Sequence, residues 1–229
     1  MEIKMNKNEL KIAKEICAVG KKMYQKGFVA ANDGNISAKT EDDFIIVTPT
    51  GVCKGEMNCD MMVKIDLQGK VYGAGKPSSE ILMHLEVYRQ DPDLKAVCHA
   101  HPPISTAFSV AGTPLDKAIL VESVVLLGIV PIAEYATPGT ADVPNSIKEF
   151  VNSYNAVLLS NHGLLTWGES LTQAWFRMES VEHYGKILLY LRQIGSANSL
   201  NETQIADLIE IRKGLGIETG GVPKEFDKF

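Results

Sequence analysis

The chain has 229 residues, of which 45% are hydrophobic and 22% charged, and its formal net charge at pH 7 is −5. This acidic balance argues against a nucleic-acid partner, because neutralising phosphates requires a basic surface. No apolar run approaches the roughly 20 residues that cross a bilayer, so we also expect no membrane association.

Cellular location and domain number follow from similarly simple features. Residues 1–15 are too polar for a signal peptide, and the four cysteines lack CxxC spacing, which predicts free thiols and a cytoplasmic protein. No linker rich in glycine, serine or proline divides the chain. We therefore expect residues 1–229 to form a single domain with a substantial core.

The first part of the chain alternates helical and extended patterns. In order, it predicts an amphipathic helix over 8–27, a turn over 32–37, a strand over 44–51, a hairpin over 63–73 and a helix over 78–90. The last of these helices follows Pro77, and Ser78 or Ser79 is its candidate N-cap.

The second part continues in the same irregular way. It predicts a strand over 94–101, a helix over 104–112, a strand over 130–136, a helix over 140–153, a strand pair over 156–168, and helices over 169–194 and 201–214. A regular βαβ repeat is missing. The expected fold is therefore a mixed α/β sheet covered by helices, with some antiparallel pairing.

Two histidines stand close together in "AVCHAHPP", residues 96–103. Side chains alternate across a strand, so His99 and His101 lie on one face about 7 Å apart and can converge on one metal ion. In isolation the HxH pattern is also typical of histidines that only cap the end of a strand.

Two further residues favour the metal interpretation. His162 ends an apolar strand and precedes a glycine that permits close backbone approach. Glu80 lies at the start of a predicted helix, where a carboxylate is favoured by the helix dipole, although it is also typical of an ordinary helix-start charge. Three imidazoles and one carboxylate make a plausible tetrahedral zinc set. His84 and His183 lie on helical faces and are interpreted as ordinary helix residues.

Three short polar loops offer a possible anion site. "GNIS" (34–37), "TPTG" (48–51) and "KPSSE" (76–80) supply hydroxyls, an amide and backbone N–H groups, which bind phosphate when oriented together. Each loop taken singly is also typical of a structural turn. Walker and GxGxxG motifs are missing, so a nucleotide is not implied.

These motifs occur together with "PIAEYATPGT" (131–140) and "NHG" (161–163), in an order that resembles the class II aldolase family. That family includes fuculose-phosphate aldolase, ribulose-phosphate 4-epimerase and the adducin head, and the resemblance covers about residues 8–195. It implies a three-layer αβα fold with a mixed, largely antiparallel central sheet flanked by helices. It also implies a ring-like homotetramer with active sites near subunit interfaces.

The resemblance further implies a chemistry and a set of residues. The expected enzyme is a zinc-dependent aldehyde-lyase that reversibly cleaves a ketose or deoxyketose 1-phosphate, such as L-fuculose 1-phosphate or a 5-deoxypentulose 1-phosphate, to dihydroxyacetone phosphate and a small aldehyde. The implied zinc ligands are Glu80, His99, His101 and His162, and Glu80 is also the implied acid/base. The implied phosphate-binding residues are Asn35, Thr50, Gly51, Ser78 and Ser79.

Some features depart from the family pattern and leave alternatives open. Leu120 stands where fuculose-phosphate aldolase has a tyrosine from the neighbouring subunit, and the family's C-terminal tyrosine has no clear counterpart. Glu122 is either a residue facing the site or a surface charge, and Tyr135 suits packing or an interface as well as proton donation. The alternatives are a pentulose-phosphate 4-epimerase, a thioribulose-phosphate dehydratase and a non-catalytic adducin-like module. Glu80 favours the aldolase, since the epimerase branch resembles "SSD" here.

Overall fold

The computed structural model describes residues 5–226 and centres on one eight-stranded sheet. In chain order the strands are β1 (Asn35–Lys39), β2 (Ile45–Val47), β3 (Val63–Ile65), β4 (Val71–Tyr72), β5 (Ala96–Ala100), β6 (Ile132–Ala133), β7 (Ala156–Leu159) and β8 (Gly163–Gly168). Their order across the sheet is β4-β3-β2-β1-β5-β8-β7-β6. Every neighbouring pair is antiparallel except β6 and β7. The expected mixed, largely antiparallel sheet is confirmed.

Helices cover both faces of this sheet. They are α1 (Lys7–Gln25), α2 (Ile81–Gln90), α3 (Pro103–Val110), α4 (Asp142–Val151), α5 (Leu171–Ile194) and α6 (Glu202–Gly214). One apolar core joins the sheet to α1, α3 and α5, and a second joins the opposite face to α2 and α4. Alternation along the strands separates the two, since Cys98 of β5 belongs to the first core and Val97 to the second. The three-layer αβα arrangement is confirmed.

Two local predictions were wrong. Residues 32–37 were expected to be a turn, but Asn35 begins β1, which is buried along its whole length. The sequence pattern did not predict a strand here, because the polar side chains of β1 are buried against side chains from distant segments of the chain. The second error concerns α2, which starts at Ile81 with Glu80 itself as the N-cap residue and no side-chain cap. Ser78 Oγ instead accepts a hydrogen bond from the Glu80 backbone N–H at 3.3 Å.

The pairing of β1 with β5 positions the polar residues. Asn35 lies opposite His99, and Ser37 lies opposite Val97. Val97 faces α2 and α4, and His99, two residues further along β5, faces the same side of the sheet. Their partners on β1, Ser37 and Asn35, share that face. A polar cluster is thereby built beneath the start of α2. Among residues 5–226, no helix combines the length and apolarity needed to cross a bilayer.

Candidate metal and acid–base site

Three imidazoles meet at one end of the central strands. His99 belongs to β5, His101 follows it, and His162 lies in the turn between β7 and β8. Each histidine contributes one ring nitrogen to a group of three nitrogens that all lie within 4.8 Å of one another. His101 Nε2 lies 3.2 Å from His99 Nε2. The structure thus brings together all three histidines that the sequence singles out.

Hydrogen bonds on the opposite ring nitrogens determine which atoms face this cluster. His99 Nδ1 lies 3.0 Å from the backbone oxygen of Leu164, which can only accept, so Nδ1 carries the proton. His101 Nδ1 lies 3.4 Å from Asp33 Oδ2, which favours the same tautomer. Burial lowers the pKa of His99 to about 3, so its ring is neutral near pH 7. Two lone pairs therefore point at each other across 3.2 Å, an arrangement that a shared cation would stabilise.

Glu80 completes the group. Its Oε1 lies 3.1 Å from His162 Nε2 and its Oε2 lies 3.5 Å from His99 Nε2, while Asn35 Nδ2 donates to Oε2 at 2.8 Å. Burial by itself raises the pKa of Glu80, but His99, His162 and Asn35 together hold that pKa well below its usual range. The carboxyl group is therefore ionised near pH 7.

This donor set fits a divalent metal ion. Neutral imidazole nitrogens and a carboxylate oxygen are the ligands that zinc prefers, and four of them are available here. Metal-binding histidines commonly direct their other ring nitrogen at a carbonyl or carboxylate, and here Nδ1 of His99 lies 3.0 Å from Leu164 O and Nδ1 of His101 lies 3.4 Å from Asp33 Oδ2. The residues that would hold the ion are His99, His101 and His162, with Glu80 beside them.

A polar cleft of about 210 Å³ opens next to these groups. All five residues predicted to bind phosphate line it: Asn35, Thr50, Gly51, Ser78 and Ser79. Backbone hydrogen bonds join the loops, from Thr50 N–H to Lys76 O at 3.0 Å and from Ser78 N–H to Thr48 O at 3.1 Å. The three polar loops therefore form one concave surface within reach of the metal-binding candidates.

Two glycines are required by close approaches around the site. Gly34 has φ of +74°, and a Cβ there would lie 2.9 Å from the His99 backbone oxygen. A Cβ on Gly163 would lie 2.6 Å from both the Ala100 oxygen and His101 Cδ2. A side chain at either position would push β5 or its histidines away from the cluster.

Comparison with known proteins assigns the chain to a family. The sequence model described as "Class II Aldolase and Adducin N-terminal domain" matches residues 14–189. The chain belongs to this family. The class II aldolase family is metal-dependent, and the three-histidine cluster described above is suited to hold such a metal.

Individual class II aldolase relatives carry more than one activity. The 3-oxo-tetronate 4-phosphate decarboxylase of Pectobacterium atrosepticum is 33% identical over 188 residues, which are 80% of this chain and 86% of the relative. The 5-deoxy-D-ribulose 1-phosphate aldolase of Bacillus thuringiensis serovar kurstaki is 32% identical over 205 residues, or 88% and 95%. A solved structure of L-fuculose 1-phosphate aldolase is 30% identical, with a TM-score of 0.81 over 89% of this chain and 96% of the other.

Three residues in or beside this candidate site were missed from the sequence. Lys54 and Asp33 line the cleft, and His84 lies fully buried against Asn35. A lysine three residues after "TPTG" was a usable signal for the first. The interpretation of His84 as an ordinary helix residue overlooked its position four residues after Glu80, which places both on one side of α2.

The residues at which the sequence was expected to depart from the fuculose-phosphate aldolase pattern lie elsewhere. Leu120 and Glu122 border a separate cavity of about 650 Å³ together with Phe176 and His183, and Glu122 is exposed. Tyr135 is 64% exposed. Within the single chain, neither Glu122 nor Tyr135 lines the cleft beside the three histidines.

Acid should destabilise the metal-free protein through its buried imidazoles. Burial lowers the pKa of His99 to about 3 and that of His84 to about 4, from an ordinary value of 6.5. Below pH 6.5 these two histidines bind protons in the unfolded chain but stay unprotonated in the native state. The free energy of unfolding therefore has its full value above that pH and declines as the pH falls. Between about pH 7 and pH 5, each residue should remove about 2 kcal/mol from the free energy of unfolding.

Urea unfolding of chelator-treated protein, followed by circular dichroism, measures this decline. Replacement of His84 by glutamine removes one of the two buried imidazoles, and the decline should then shrink by about 2 kcal/mol. A wild-type stability that stays constant across this pH range would contradict the buried, neutral state of both rings.

Proposed function

We propose that the chain is a zinc-dependent class II aldolase that reversibly cleaves a ketose 1-phosphate or deoxyketose 1-phosphate to dihydroxyacetone phosphate and a small aldehyde. The observation that carries this proposal is the convergence of three imidazoles on one point with the Glu80 carboxylate 3.1 Å from His162 and 3.5 Å from His99. L-Fuculose 1-phosphate and a 5-deoxypentulose 1-phosphate are the favoured substrates.

The proposed reaction assigns a specific task to Glu80. When the C3–C4 bond of a ketose 1-phosphate breaks, its electron pair stays on C3 beside the C2 ketone, and the C4 hydroxyl gives its proton to a second base or to water as C4 becomes the aldehyde. In the condensation direction the ionised Glu80 carboxylate removes a proton from the hydroxymethyl carbon of dihydroxyacetone phosphate, and in the cleavage direction the protonated Glu80 returns that proton to C3. A divalent ion held by His99, His101 and His162 supplies Lewis-acid stabilisation of the negative charge that develops.

The cleft supplies orientation for a phosphorylated substrate. Hydroxyls of Thr50, Ser78 and Ser79 and the amide of Asn35 border it, and phosphate held there would fix the neighbouring carbon against Glu80. Lys54 adds a buried positive charge. Its ammonium donates to the backbone oxygens of Asn32 and Val52, and within residues 5–226 it has no carboxylate within 4.0 Å. An anionic substrate would provide the missing counter-charge.

Decarboxylation of a 3-oxo acid phosphate is a second candidate, and two observations favour it. One is the 33% identity with a 3-oxo-tetronate 4-phosphate decarboxylase. The other is Leu120, which stands where the sequence resemblance implies a tyrosine. Loss of CO2 from such a substrate leaves the electron pair on the carbon next to the ketone, and protonation again yields dihydroxyacetone phosphate. Because the departing CO2 carries no hydroxyl proton, this reaction needs no second base.

A substrate panel distinguishes the two candidates. The metal-loaded protein is incubated with ketose 1-phosphates and with 3-oxo-tetronate 4-phosphate, and dihydroxyacetone phosphate is followed with a coupled reductase. Aldol cleavage releases an aldehyde, whereas decarboxylation releases CO2. Epimerisation or dehydration of a sugar phosphate without triose phosphate would overturn both proposals. A protein that binds no metal and turns over nothing would favour an adducin-like interaction module.

Loss of the Ser79 hydroxyl should weaken substrate binding specifically. Ser79 is an exposed residue of the cleft, so its replacement by alanine should leave thermal unfolding unchanged. One hydrogen bond to a charged phosphate corresponds to an increase in KM of about 10-fold or more, with kcat nearly unchanged. Steady-state kinetics measures this, and the matched control is the non-phosphorylated ketose. An equal effect on both substrates would exclude Ser79 from phosphate binding.

The proposal also includes a cytoplasmic homotetramer with active sites near its subunit interfaces. Free thiols at all four cysteines suit a reducing compartment. Leu126 and Phe176 are about half exposed beside the 650 Å³ cavity, and such apolar side chains are suited to an interface between subunits. Size-exclusion chromatography with light scattering tests the assembly.

A further inference from the structure

A continuous chain of hydrogen bonds runs from Glu80 into the protein interior. Asn35 Nδ2 donates to Glu80 Oε2 at 2.8 Å, and Asn35 Oδ1 lies 2.5 Å from His84 Nε2. His84 Nδ1 lies 2.7 Å from Ser37 Oγ, which lies 2.7 Å from the Tyr88 hydroxyl. Apart from Glu80, the residues linked by these hydrogen bonds are at most 2% exposed, so solvent does not reach them freely.

The carboxylate sets the direction of every bond in this chain. An ionised carboxylate can only accept, so the Asn35 amide must turn its NH2 group toward Glu80 and its oxygen toward His84. His84 Nε2 must then carry the proton and donate it. In a neutral ring the other nitrogen is an acceptor, so Nδ1 accepts from Ser37, and Ser37 accepts from Tyr88. Burial lowers the pKa of His84 to about 4, which agrees with a neutral ring.

We propose that His84 is a positioning residue that holds the Asn35 amide with its NH2 group toward Glu80 and thereby orients Glu80 for proton transfer. The proposal rests on the acid/base role proposed for Glu80. No other side chain contacts Asn35 Oδ1 among the hydrogen bonds found in residues 5–226. Without His84, the Asn35 oxygen would be buried without a donor, and a flipped amide would place an oxygen against the carboxylate.

The tautomer of His84 can be tested without any substrate. Histidine-selective 15N labelling and NMR of the metal-free protein should show a ring protonated at Nε2 and unprotonated at Nδ1, assigned by its loss in the His84→Gln variant. A ring protonated at Nδ1 would reverse the hydrogen-bond directions and overturn the proposal. This result stands even if every sugar phosphate proves inert, so failure of the proposed reaction and failure of the positioning role are distinguishable.

Kinetics then tests whether His84 acts through Asn35. The His84→Phe substitution should lower kcat about 10- to 100-fold with a smaller change in KM. The reason is that the Asn35 amide is no longer held in the orientation in which it donates a hydrogen bond to the charged Glu80 carboxylate. His84→Gln, whose amide can donate to Asn35 and accept from Ser37, should recover part of this loss. Tyr88→Phe is the matched control, since it removes only the far end of the chain and should leave kcat within about twofold.

A double-mutant cycle provides the decisive comparison. In an Asn35→Ala background, His84→Phe should cause no further loss of kcat, because the group it positions is gone. Independent, multiplicative losses would overturn the proposal and leave His84 with a packing role alone. Thermal unfolding of each variant shows which proteins are folded, and if His84→Phe is not, His84→Gln takes its place in the cycle.

Discussion

Replacement of Glu80 by glutamine is expected to lower kcat by about three orders of magnitude while the protein keeps its divalent metal ion. Glutamine has nearly the same shape and can still accept the hydrogen bond that Asn35 donates at 2.8 Å. It has no proton to exchange with the substrate carbon at neutral pH. The loss should therefore appear in kcat, with a smaller change in KM.

Turnover is measured as triose phosphate released in the coupled assay, and metal content by elemental analysis of the same samples. Glu86→Gln is the matched control, because Glu86 lies in α2, the helix that Glu80 precedes, but contacts Arg89 and Gln90. That variant should behave like the wild type. Unchanged turnover in the Glu80→Gln protein would remove Glu80 from the mechanism.

Replacement of His101 by alanine is expected to weaken metal binding by at least about 100-fold, and activity should fall with metal occupancy. His101 Nε2 lies 3.2 Å from His99 Nε2, so its loss opens one side of the cluster. Equilibrium dialysis against zinc with a competing chelator measures affinity. Added zinc should restore part of the activity if the fold is intact.

His183→Ala serves as the control for this second experiment. His183 is exposed on α5 and lies outside the cleft, so its loss should leave zinc affinity unchanged. A His101→Ala protein that binds a full equivalent of zinc at wild-type affinity would contradict the assignment of His101 as a ligand.

Local sequence patterns were sufficient for many parts of this protein. Alternation in "AVCHAHPP" predicts that His99 and His101 share a face, because side-chain direction in a strand depends only on residue parity. The long helices follow from apolar residues spaced three and four apart. The order of the short polar motifs indicated the family, and the match over residues 14–189 confirms it. His162 and Glu80 were singled out from their local context, and the resemblance then implied their roles as ligands and, for Glu80, as the acid/base.

Tertiary structure decided which polar residues meet and what each nitrogen faces. Asn35 lies opposite His99 only because β1 pairs with β5 in one particular register, more than 60 positions apart in sequence. The burial of His84 depends on α2 packing over that same pair of strands. The tautomers of His99 and His101 depend on Leu164 and Asp33, which come from other segments. Periodicity describes one segment at a time, whereas these contacts arise from the pairing and packing of segments far apart in the chain.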